Sequence, residues 1–257
     1  MRDPSAAPAP GVGLALLFHA GERPDADAIA QALEAGQAAG PAARVSHWPQ
    51  DDAGWLELLA SGLTFDLRGL TPAAAVAMAA LPEGPHRRFG FAAGSALVAP
   101  HEAIELVPAN HILAGAGLQP VVRTLVGLAA NLVLHLPVIA VHWQPADTLI
   151  EPRYFARLVL GWLGGGAFPA LGLTALEPAS DGSIATRGLA HFTGQEMQLE
   201  GRAGESPADT AKLAIRVIDH LVRQGRLAAP QRIGTGAGAL LAEPSQVGRL
   251  VLVWREA

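Results

Sequence analysis

Three side chains within a ten-residue stretch, Arg187, His191 and Glu196, are of types that could act together on a small molecule. In one concave site, the arginine would clamp an anion, the imidazole would carry a proton and the carboxylate would serve as general base. Those are parts of a hydrolase or transferase. The surrounding segment, residues 186–200, reads TRGLAHFTGQEMQLE. Its end alternates, with Met197 and Leu199 on one face and Glu196, Gln198 and Glu200 on the other. The plainer reading is therefore a half-buried strand with a solvated acidic face.

Other chemistry finds less support. Nine histidines invite a metal site, but no H-E-x-x-H occurs. His101-Glu102 is an isolated pair, and His135 and His142 straddle a predicted helix–strand break, so no metal is expected. The absence of cysteine excludes disulfides, thiol catalysis and iron–sulfur clusters. Gly115-Ala116-Gly117 is half of a dinucleotide fingerprint, with Pro120 standing where the third glycine belongs. Gly234-Thr235-Gly236-Ala237-Gly238 follows a helix, the wrong context for a phosphate loop. Both read as turns in which glycine supplies a positive φ, and no cofactor is expected. Ser95, in Ala-Gly-Ser-Ala, is the nearest approach to a nucleophile elbow and lacks its flanks.

The chain that must position these residues has 257 of them, half hydrophobic and 16% charged, enough to bury a core rich in Ala, Val and Leu. Its net charge is −5 and Arg87-Arg88 is its one adjacent basic pair, which argues against nucleic acid. Residues 1–11, rich in Ala and Pro, read as a disordered tail without signal-peptide features, so a cytoplasmic location is expected. Residues 124–141 are apolar enough to suggest a membrane span, but Arg123, Asn131, His135 and Pro137 interrupt or border them. A helix followed by a buried strand explains the stretch better, and no membrane span is expected.

Apolar runs predict strands at 14–19, 43–48, 63–67, 104–107, 138–143, 170–176 and 249–255, with a further short one at 88–92. Helices are predicted after Asp25, from Pro72 over AAAVAMAAL, from Pro120, from Pro152 to the glycines at 164–166, and from Ser206-Pro207 to Gly225. On the helix from Pro120, Gln119, Arg123, Asn131 and His135 form a polar stripe facing water or polar partners. The fold class is α+β, with antiparallel or mixed sheets packed on helices and room for two related β-α-β-β units. A boundary is expected near 95, dividing an N-terminal half (12–95) from a C-terminal half (96–257), as two domains or one compact one.

The pattern T-R-G-L-x-x-F-x-x-x-E-M over residues 186–197 resembles the C-terminal signature of a bacterial domain family of unknown function. The resemblance runs from about residue 100 to the C-terminus, more loosely before it, and implies a shared fold without a mechanism. The expected function is a non-catalytic interaction protein of the immunity-like, adaptor or scaffold kind, with a protein partner or self-association. The alternative is the small-molecule hydrolase or transferase built on Arg187, His191 and Glu196.

Overall fold

The computed structural model describes residues 11–36, 42–49, 54–78, 80–92, 101–235 and 238–256. The expected tail (apart from Gly11), the boundary at 95/96 and Ser95 lie outside them. The chain is α+β, as its pattern predicts.

Eight strands form the first sheet: β1 (Leu14–His19), β2 (Ala43–His47), β3 (Trp55–Ala60), β4 (Leu63–Arg68), β5 (Arg88–Phe89), β6 (His101–Pro108), β7 (Ala140–Trp143) and β8 (Thr148–Ile150). Their order is β2-β3-β4-β6-β1-β7-β8-β5. The unbroken apolar run of β1 has a physical reason: this strand is covered on both faces. Leu14, Leu16 and Phe18 enter the main core, while Ala15 and Leu17 join a second cluster with Ala103, Ala140 and Leu149. Strands from both sides of the expected 95/96 boundary pair within this sheet, β6 and β7 flanking β1.

The helix expected from Pro72 is absent, and residues 72–78 have no regular structure. This segment is a strap over the outer face of the sheet, where Met78, Leu81, Phe91 and Ile139 cover the second cluster. β4 ends at Arg68, opposite Glu105, and the Val76 N–H donates to the Ala103 carbonyl beyond it at 3.1 Å. Arg23 donates to the Gly69 and Ala73 carbonyls, at 3.1 Å for Ala73. Cover for an apolar sheet face outweighs the alanines' helix propensity, which is worth only tenths of a kcal/mol per residue.

Strands β9 (Ala175–Pro178), β10 (Ile184–Arg187), β11 (Glu196–Leu199), β12 (Gln231–Ile233), β13 (Leu240–Pro244) and β14 (Leu250–Arg255) make the second sheet, ordered β12-β13-β14-β11-β10-β9. The helices are α1 (Ala26–Ala35), α2 (Gln119–His135), α3 (Pro152–Leu163), the single turns α4 (Ala170–Leu173) and α5 (Ala190–Thr193), and α6 (Pro207–Gln224). The strand expected over 170–176 is thus a turn followed by β9. Carbonyls that a strand would pair with a neighbour are taken by side chains: Trp143 Nε1 donates to Leu173 at 2.9 Å, and the Thr148 hydroxyl donates to Gly172.

Two units share one topology. In β1-α1-β2-β3-β4 the first and last strands both run antiparallel to β6, which lies between them, and so run parallel to each other. In β11-α6-β12-β13-β14 they pair directly and in parallel. Each unit has one more strand than the β-α-β-β expected.

One core cluster joins both sheets through the helices. The helix starts follow the sequence signals: the Asp25 side chain accepts from Ala28 N at 2.8 Å and Ser206 from Asp209 N at 3.2 Å. Helix α2 is buried on almost every side from Val121 to Val133. Its polar stripe is divided: His135 is exposed at the end of the helix, and the other three residues meet protein. Gln119 Nε2 donates to the Val222 carbonyl at 2.8 Å, Arg123 donates to the Leu163 carbonyl at 3.1 Å and lies over the Trp162 ring, and Asn131 is buried. Among the described residues, no helix is long and apolar enough to cross a membrane.

Candidate functional site

The structure gives Arg187, His191 and Glu196 three different sets of partners. Glu196, first residue of β11, turns its carboxylate into the turn before α5. It accepts from Gly188 N at 2.8 Å, Leu189 N at 3.2 Å, Ala190 N at 3.2 Å and the Thr186 hydroxyl at 2.7 Å. Both oxygens are used, and the three amides gain the acceptor that a turn cannot supply itself. Gly188 sits at φ +87°, where a Cβ would come within 2.6 Å of the Ala146 Cβ. Leu189 and Met197 are fully buried, and Phe192 stacks on Trp143 with ring centroids 6.1 Å apart. Every fixed residue of the TRGLxxFxxxEM pattern except Arg187 thus shapes or buries this one turn.

His191 lies inside an aromatic cluster, its ring 5.5 Å from Trp143 and 5.3 Å from Phe192, edge-on to both. Its Nε2 is buried with no hydrogen-bond partner, and burial lowers its pKa to about 4, so the ring is neutral near pH 7. Its carbonyl lies against Gly117, where a Cβ would sit 2.1 Å from the oxygen. Gly117 therefore serves close approach of the chain before α2 to the α5 turn. Gly115, Gly117 and Gly238 lack the positive φ expected of them, although Gly234 has it. Gly236 is outside the described residues.

Arg187 joins a charged cluster that ties the two sheets together. Arg87 pairs with Asp147 at 2.8 Å and Glu177 at 3.0 Å, Arg187 approaches the same two at 3.6 and 3.7 Å, and His142 Nε2 meets Asp147 at 3.0 Å. Asp147 closes the β7–β8 turn, where its φ is +51°, and Glu177 stands on β9. Two guanidiniums offset two carboxylates, and all four are partly solvated. The sequence holds half of this signal: Pro145 in Gln-Pro-Ala-Asp marks a turn that an aspartate can close. The meeting of residues 87, 142, 147, 177 and 187 is invisible in it. Among the described residues, no group of three or more His, Asp and Glu is placed to hold a metal ion.

Arg187, His191 and Glu196 line none of four cavities of about 830, 520, 460 and 280 Å³. The largest of the four is an open groove between the end of α2 and α3. Its apolar wall includes Val133, Leu134, Leu136, Val138 and Ile139, and Leu134 is 48% exposed. Arg153 and Arg157, both exposed and one helical turn apart, line the α3 side. The nearby Glu151 carboxylate is engaged by Arg153 N at 3.1 Å and Tyr154 N at 2.6 Å, capping α3. Neither guanidinium is ion-paired with a described residue. Sequence reading missed this groove because Leu134 falls within the polar stripe of the helix, on the side of Arg123.

Comparison with protein-family models, curated proteins and solved structures returned no match.

Proposed function

We propose that this chain is a non-catalytic cytoplasmic interaction protein, an adaptor, scaffold or immunity-like component, whose α2–α3 groove receives an acidic amphipathic segment of a protein partner. The observation that carries this reading is the groove itself: an exposed leucine backed by half-buried apolar side chains, with two arginines on one wall that are ion-paired with no described residue, Arg157 lying over the Tyr154 ring. Burying the exposed half of Leu134 under a partner would contribute about 1 kcal/mol. The arginines would select and orient an acidic partner. Separate engagement of Arg187, His191 and Glu196 supports the non-catalytic side, since an acid–base site needs such groups free and facing one substrate.

The test is native mass spectrometry of the chain purified gently from its host, beside an Arg153→Glu/Arg157→Glu variant that leaves the core untouched. A second protein at fixed stoichiometry, lost in the variant, with hydrogen-exchange protection over residues 133–139 and 153–160, is expected. A complex indifferent to the charge reversal, or no bound protein at all, would refute the proposal.

A further inference from the structure

Where the second sheet meets the edge of the first, the chain encloses a cavity of about 280 Å³. It is smaller, more enclosed and more apolar than the α2–α3 groove and lies on other elements. Its apolar walls include Phe89 of β5, Leu171, Leu176 of β9, Ile184 of β10 and Ala211 of α6. Leu176 and Ile184 are fixed in the core cluster, and Leu171, Phe89 and Ala211 pack against it.

The charges at this cavity are unequal in their commitments. Glu205 is held by Arg255 through both oxygens at 2.5 Å and accepts from the Thr210 hydroxyl at 2.9 Å. Arg202 is exposed on the loop before α6 and makes no ion pair or side-chain hydrogen bond with a described residue. The cavity therefore combines an apolar interior with one permanent cation that no described residue pairs, and His86 is the remaining ionisable side chain of its lining. It lies just below the usual size range of ligand sites, about 300–1,000 Å³.

We propose that this cavity binds a small monocarboxylate with a slender apolar body, of which a medium-chain fatty acid is the simplest. The tail lies between Phe89, Leu176, Ile184 and Ala211, and the carboxylate meets Arg202. Such a ligand buries apolar surface that otherwise faces water and pairs a guanidinium whose planar donors match a carboxylate. An alkyl ammonium is disfavoured because both carry positive charge. The proposal is independent of the groove and its partner.

Isothermal titration of the full chain with hexanoate, heptanoate and octanoate, using octan-1-ol and octylammonium as charge controls, tests it. Affinity should rise about fourfold per methylene, the factor equivalent to ~0.8 kcal/mol. Octanol should bind about three- to fivefold more weakly than octanoate, as for an exposed ion pair, and octylammonium more weakly still. Arg202→Gln, in an exposed loop, should reduce octanoate to the level of octanol and leave octanol unchanged. Ala211→Leu, which fills the cavity from α6, should weaken both, with thermal unfolding confirming a folded variant. No octanoate binding at about 1 mM, equal binding of octylammonium, or octanoate affinity unchanged in Arg202→Gln would overturn the proposal.

Discussion

Replacing His191 by phenylalanine should alter the pH dependence of stability more than stability itself. The imidazole packs edge-on against Trp143 and Phe192, and its Nε2 has no partner, so a phenyl ring of similar shape removes an orphaned polar atom and keeps the aromatic contacts. At pH 7 the substitution should be close to neutral or stabilising by up to about 1 kcal/mol. The larger effect comes with acid. In the folded protein the ring stays neutral down to about pH 4, against 6.5 for a free histidine. Between these values the unfolded chain binds the proton and the native state does not, so stability is lost as pH falls. From pH 7 to pH 5 the loss is about 2 kcal/mol for this one group. His191→Phe does not suffer it. Urea unfolding of both proteins at pH 7 and pH 5 isolates the difference, because every other titrating group is shared. With a slope near 3 kcal/mol/M, the midpoints should separate by about 0.7 M more at pH 5 than at pH 7. A separation equal at the two pH values would refute the reasoning, since it would mean that the folded protein accepts the proton as readily as the unfolded one.

Two further substitutions probe the same turn by other means. Glu196→Ala strips three backbone amides and the Thr186 hydroxyl of their acceptor, and should cost about 3 kcal/mol in chemical denaturation, with Glu196→Gln costing less. An unchanged midpoint for Glu196→Ala would show that the carboxylate does not hold the turn. Gly117→Ala drives a methyl group onto the His191 carbonyl and should destabilise by about 1–3 kcal/mol. The same change at Gly21, which has a positive φ but open space around it, should act only through backbone strain and provides the comparison in one thermal-melt series.

Local signals were strongest where a segment's structure depends mainly on its own residues. The continuous apolar run of β1 and the Asp25 and Ser206 caps are legible because alternation, capping and helix periodicity act over a few residues. The short strands β3, β8, β10, β12 and β13 escaped detection, several being only three to five residues long. The strap at 72–78 shows the opposite failure, a helical composition overruled by an uncovered sheet face.

The same division holds for the candidate site. The chain by itself determined that Arg187, His191 and Glu196 lie close along it and that Met197 and Leu199 face inward. It determined too that no cysteine chemistry operates, because these are properties of residue type and local spacing. Only the tertiary structure decided that Glu196 closes a turn, that His191 is kept neutral among aromatic rings and that Arg187 joins Arg87, Asp147 and Glu177. It also decided where an exposed leucine and two exposed arginines share a groove. The physical reason is that hydrogen-bond saturation, burial and charge pairing depend on distances in space, and those are set by how two sheets close around one helical core.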